Sequence, residues 1–69
     1  MTMRERLMRH WSAGGRVLLA LEGTVYCVRA EHAVVVRDAV PPERGIEMGY
    51  RGTWRHVPAG AIRLLTRML

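Results

Sequence analysis

The chain of 69 residues has no lysine, one cysteine and one serine, and each scarcity excludes some chemistry. A lone Cys27 allows neither an intramolecular disulfide nor a multi-cysteine metal site. Ser12, the one serine, falls at the end of an expected helix, so no serine–histidine–acid set can be assembled around it. His10, His32 and His56 fall in three separate elements without metal-ligand spacing. No glycine-rich phosphate loop precedes a helix; Gly14-Gly15 follow one instead. These absences point away from an enzyme and imply no cofactor and no metal. No apolar run approaches the roughly 20 residues of a membrane span; the longest are Val17–Leu21 and Ala33–Val36. The N-terminal stretch MTMRERLMRHW is basic but lacks the apolar centre of a signal peptide. The expectation is a cytoplasmic protein with no membrane partner.

What is present is a globular balance: 49% hydrophobic and 25% charged residues, too apolar for a disordered chain. A chain this short makes one domain, over residues 1–69, with a small core. The 11 basic residues are all arginine and stand against 6 acidic ones, a net charge of +5. The isoelectric point of 11.1 exceeds the value of about 9 that marks many nucleic-acid binders. Arginine offers a planar, permanently charged fork suited to phosphate. Two readings follow: a polyanion-binding surface, or a solvated basic surface with no dedicated ligand.

Thr2-Met3-Arg4-Glu5 has the form of a capping box. Met3, Leu7, Met8 and Trp11 then recur at helical spacing, and Gly14-Gly15 provide a stop. This predicts a short amphipathic helix over about residues 3–12, docked through Trp11. From Arg16 the period changes. Val17, Leu19 and Leu21 alternate with Leu18, Ala20 and Glu22, a strand apolar on both faces. Glu22-Gly23 forms a turn, and Thr24–Arg29 a second strand by its β-branched and aromatic content. Cys27 falls in that strand and is expected to be buried and inert. Ala30-Glu31-His32 is a tight connection, and Ala33–Arg37 a third strand. Pro41-Pro42 break regular structure. Met48–His56 reads as a fourth strand with an irregular start. Val57–Gly60 reads as a short turn, with a single 3₁₀ turn as one form. Ile62–Leu69 reads as a fifth strand, with a terminal helix as its alternative. The expected fold is mainly β: a short N-terminal helix and a five-stranded, strongly curled antiparallel barrel over about residues 16–69.

This pattern resembles the Sm-like (LSm, Hfq-type) family of small SH3-like β-barrels. VLLALEGTVYCV is similar to the first Sm motif, with Gly23 at its turn. AVVVRDA resembles the third strand with its terminal acid, Asp38, and WRHVPAGAIRLL resembles the second motif. Glu31 and His32 stand where members carry an Asp and an Asn. The resemblance implies single-stranded RNA as ligand and a homo-oligomeric ring of about five to seven subunits. A ring closes exposed strand edges on each other.

The resemblance places Arg55 and His56 at the pore, with Arg63 just past the same turn, and Glu31 and His32 in the loop of base-contacting residues. The plainer alternative for each is a solvated arginine, a strand-end histidine and a polar hairpin loop. Tyr26 and Trp54 are candidates for base-stacking platforms or for core and interface anchors. Arg4, Arg6 and Arg9 form either a phosphate-binding rim or a solvated helix face. Beside an RNA-binding ring stands a second function: a non-catalytic structural or protein-interaction module that uses the same barrel without nucleic acid.

Overall fold

A computed structural model describes residues 1–32 and 34–65. Helix α1 (Met3–Ser12) is followed by strands β1 (Arg16–Leu21), β2 (Thr24–Val28), β3 (Val35–Asp38), β4 (Gly45–Tyr50), β5 (Thr53–Pro58) and β6 (Ile62–Leu65). Single 3₁₀ turns at Ala30–His32, Pro42–Arg44 and Ala59–Ala61 lie between strands.

The capping box forms in full. The Glu5 amide donates to Thr2 Oγ1 at 3.2 Å, and the Thr2 amide donates back to Glu5 Oε1 at 3.0 Å. Gly14 ends the helix at φ 82°, a conformation that favours glycine. Leu7 and Trp11 are the buried residues of the helical stripe. Trp11 Nε1 donates to the Val28 carbonyl at 3.1 Å, and Arg4 Nε donates to the Val36 carbonyl at 3.0 Å. The helix is thereby tied to β2 on one side and β3 on the other. This docking supplies what a ten-residue helix lacks alone, since isolated helices of this length are marginal in water.

The six strands form two three-stranded antiparallel sheets, ordered β2-β1-β6 and β3-β4-β5. The expectation of a mainly β chain with an N-terminal helix holds. The five-stranded closed barrel does not: among the described residues there are six strands, and no strand pairing joins one sheet to the other. The extra strand arises inside the segment read as one fourth strand, Met48–His56. Arg51 at φ 50° and Gly52 at φ 81° are both left-handed. Such a two-residue connection matches strand twist and folds the chain back into a hairpin. Tyr50 and Thr53 close it as the last pair. Glu22 at φ 50° and Gly23 at φ 78° make the same kind of turn between β1 and β2. The final strand runs to Leu65; the expected continuation to residue 69, and Ala33 of the expected third strand, lie outside the described residues.

Alternation along the strands builds the core. Val17, Leu19 and Val28 from one sheet meet Val36, Ile46, Met48 and Val57 from the other, with Leu7 and Trp11 from the helix. Each fully buried aliphatic side chain contributes about 1.5–3 kcal/mol relative to exposure. Cys27 is a correction: it is exposed. Its partner on β1 is Leu18, whereas Val28 pairs with the buried Val17, so the period of two turns Cys27 to the outer face. No helix among the described residues is long and apolar enough to cross a membrane.

Candidate functional site

The two sheets splay apart between β2 and the β4–β5 hairpin, and a half-open cleft of about 600 Å³ lies there. Register explains its lining. On β1 and β2, Leu19 pairs with Tyr26, and Leu19 is buried, so Tyr26 faces inward with it. On β4 and β5, Met48 pairs with Arg55 and Tyr50 with Thr53. Met48 is buried, so this row also faces inward.

The cleft therefore has a buried or half-buried apolar part made by Leu19, Leu21, Val28, Val34, Met48 and Val57. Its exposed part includes Tyr26, Tyr50, Arg51, Thr53, Arg55 and His32. Tyr26 is 45% exposed and Tyr50 47%, so both rings remain open to a ligand. Arg51 Cζ lies 5.4 Å from the Tyr50 ring centroid, within the range of a cation–π contact. The Arg29 amide donates to His32 Nδ1 at 3.1 Å, inside the Ala30–His32 turn. That bond leaves Nε2 as the nitrogen available to a ligand. No carboxylate lines the cleft among the described residues. Two guanidiniums and two phenols above an apolar floor suit a planar, anionic ligand.

The five residues singled out from the sequence divide among several surfaces. Arg55 and His32 come together in the cleft. His56 follows Arg55 in the strand and therefore faces the other way, where its Nδ1 lies 2.6 Å from Glu47 Oε2. Arg63 pairs with Leu18, on the outer face of the first sheet with Cys27. Glu31 is exposed and sits 3.8 Å from Arg29 in a loose ion pair, beside a smaller recess lined by Trp11 and Arg16.

The aromatic candidates also part company. Tyr26 lines the cleft, whereas Trp54 lies on the outer face of the second sheet with the Arg37 guanidinium 3.9 Å from its ring centroid. Arg4 is engaged by the Val36 carbonyl, while Arg6 and Arg9 are exposed. Sequence reasoning missed Tyr50 and Arg51. The signal for them was the Arg-Gly pair between two β-rich runs, the mark of a two-residue hairpin, which sets the residue before it at a strand end.

Among the described residues no group of three histidine, cysteine or acidic side chains is placed to hold a metal ion. Compared with protein-family models, with curated proteins and with solved structures, the chain has no match.

Proposed function

We propose that the chain is a non-catalytic binding protein that takes single-stranded RNA in the cleft between its two sheets. The observation that carries this reading is the convergence of Tyr26, Tyr50, Arg51, Arg55 and His32 on one open cleft with no carboxylate among the described residues that line it. Unpaired bases stack on exposed aromatic rings, and arginines follow the phosphates. The net charge of +5 adds long-range attraction for a polyanion. No asparagine, glutamine or acidic side chain is among the described residues lining the cleft, so contacts are mainly with phosphate and ring faces, and base edges meet only Arg51, Arg55, His32 and Thr53.

The order of elements supports a relation to Sm-like barrels. A helix comes first, and a 3₁₀ turn at Ala59–Ala61 leads into the last strand, as in the second Sm motif. In this reading the chain forms a homo-oligomer, because among the described residues each sheet leaves two edges unpaired and such edges favour association. A ring that paired β5 with β6 of the next copy would still leave β2 and β3 uncovered.

The apolar floor, with Leu19, Met48 and Val57, favours a second reading: a protein-interaction module that takes an apolar peptide in the same cleft. Anisotropy of a labelled, mixed-sequence single-stranded RNA, titrated with the nuclease-treated full chain, decides between them. RNA binding predicts saturable binding that weakens steeply with salt and falls with Tyr50→Ala. No binding at low salt leaves the peptide reading.

A further inference from the structure

The smaller recess measures about 500 Å³ and is lined by Trp11, Gly14, Gly15, Arg16, Arg29 and Glu31, with Ala30. The Ala30–His32 turn stands between it and the cleft: His32 lines the cleft, whereas Ala30 and Glu31 line the recess. Gly14 and Gly15 carry no side chain and leave the recess open. Trp11 has its ring nitrogen committed to the Val28 carbonyl, so the charged groups that meet a ligand are those of Arg16, Arg29 and Glu31. Register sets the two arginines together. Val17 pairs with Val28, and both are buried. The next residues outward, Arg16 on β1 and Arg29 just past β2, therefore stand opposite each other on the other face. The backbone of Arg16 is pinned there, because His10 Nε2 donates to its carbonyl at 3.0 Å. Like charges directly opposed across an antiparallel pair are destabilising. Among the described residues Arg16 makes no salt bridge, and Arg29 has only Glu31, 3.8 Å away, with both side chains more than half exposed. Positive charge at the recess is thus left uncompensated, in the form that suits phosphate.

We propose that the recess is a second phosphate subsite, and that one RNA strand runs from the cleft past His32, over the Ala30–His32 turn, to Arg16 and Arg29. Such a path rests on the reading of the cleft as an RNA site and extends its footprint. The turn is a single 3₁₀ turn of three residues, about 6 Å long at about 2 Å per residue. A stacked strand advances about 3.4 Å per nucleotide, so about two nucleotides span the turn. The same turn fixes both ends of the crossing. The Arg29 amide holds His32 Nδ1 at 3.1 Å, which ties the residue at the edge of the cleft to the residue that receives the next phosphate. At Arg29 the phosphate replaces the loosely held Glu31 carboxylate with a charge-assisted contact that can use both prongs of the guanidinium. Glu31 then turns to solvent, and its charge opposes binding.

The test is anisotropy of the nuclease-treated full chain with labelled RNAs of about 4 and about 12 nucleotides, the range of site sizes of a small β-barrel. The short RNA fills the cleft alone, and the long one reaches the recess as well. Arg16→Ala and Arg29→Ala are each expected to lower the salt slope for the long RNA by about 0.7 and to leave that for the short RNA unchanged. R55A is expected to lower both. Arg44→Ala removes the same charge from the turn at Pro42–Arg44, which lines neither hollow, and is expected to lower neither. Glu31→Gln is expected to tighten the long RNA about twofold or more at low salt, a gain that a damaged fold does not produce. The path is overturned, with the cleft reading intact, if R55A acts while R16A and R29A do not, or if E31Q binds the long RNA no more tightly. An R44A effect equal to that of R16A overturns it as well, since the long RNA then senses only diffuse charge. If neither RNA binds, or R55A changes neither slope, the cleft reading fails and the path fails with it.

Discussion

The indole of Trp54 lies across Gly49: a Cβ built on Gly49 would stand 3.1 Å from three carbons of that ring. The two residues are direct partners in the β4–β5 ladder, and Arg37 from β3 reaches the same ring at 3.9 Å. One half-exposed aromatic side chain thus spans all three strands of the second sheet. Gly49 has no left-handed backbone to protect, so alanine there would ordinarily raise stability by lowering the entropy of the unfolded chain, by about 0.4–1 kcal/mol. The indole reverses the sign. Gly49→Ala is expected to push the ring outward, break the Arg37 contact and lower stability by about 1 kcal/mol in urea unfolding. Arg37→Ala alone is expected to cost about 0.5–1 kcal/mol. The double variant should lose less than the two single losses combined, because both act on one ring; full additivity would separate the two contacts.

Gly45 is constrained more severely. Its φ is 136°, and a Cβ there would meet the Val57 carbonyl oxygen at 2.2 Å and the Ala59 amide nitrogen at 2.7 Å. Both are backbone atoms and cannot turn aside. Gly45→Ala is expected to destabilise by more than about 3 kcal/mol, enough to unfold a domain this small at room temperature. Gly23 and Gly52 are also left-handed, but nothing stands within 4 Å of a Cβ at either. Alanine at those two turns carries only the backbone penalty of about 1–2 kcal/mol. Thermal melts of the three variants are expected to place G45A far below the other two; equal melting temperatures would contradict the close approach seen at Gly45.

These glycines also explain which parts of the fold could be read from the sequence. The helix was legible because its signals are local: Thr2 with Glu5, Leu7 with Trp11, and Gly14 as the stop. The Glu22-Gly23 turn was legible because one glycine sits between two strong β runs. The region from Gly45 to Gly52 holds three glycines with three different tasks: close backbone approach at Gly45, room for an aromatic ring at Gly49, and a left-handed turn at Gly52. Composition cannot tell these apart, and the hairpin was read as one strand. The resemblance sets Arg55 and His56 together at a pore, whereas neighbours in a strand face opposite ways. Applied to Cys27, the same rule would have moved it to the outer face with Val25. What no local rule supplies is the splay between the sheets, which brings Tyr50 of one to the same cleft as Tyr26 of the other.

The helix cap should respond to pH. The Thr2 amide, and after it the Thr2 hydroxyl, hydrogen-bond to Glu5 and hold its carboxyl below the ordinary value. A carboxyl with a depressed pKa in the folded state stabilises it fully above the unfolded pKa. That contribution is lost as pH falls through the folded pKa. Lowering the pH through the carboxylate range should therefore loosen the first turn of α1. Thr2→Pro removes both the amide donor and the hydroxyl. The Glu5 side chain, followed by NMR through an acid titration, is expected to titrate lower in the wild type than in T2P. Identical titration curves would show that the reciprocal cap does not persist in solution.

The salt dependence of RNA binding separates the cleft from the rest of the basic surface. Each phosphate contact with a single strand contributes about 0.7 to the slope of log K against log salt. Arg51 and Arg55 line the cleft, so R51A and R55A are each expected to reduce the slope by about that amount. The double variant should lose about twice as much. Arg63 points from the outer face of the first sheet, and His56 is held by Glu47 on the outer face of the second. R63A and H56A should leave the slope where it is, although R63A removes the same formal charge as R55A. That comparison carries the weight, because a diffuse attraction of a basic chain for a polyanion would respond equally to either arginine. Equal slopes for R55A and R63A would mean that RNA senses the net charge alone and that the cleft does not hold it.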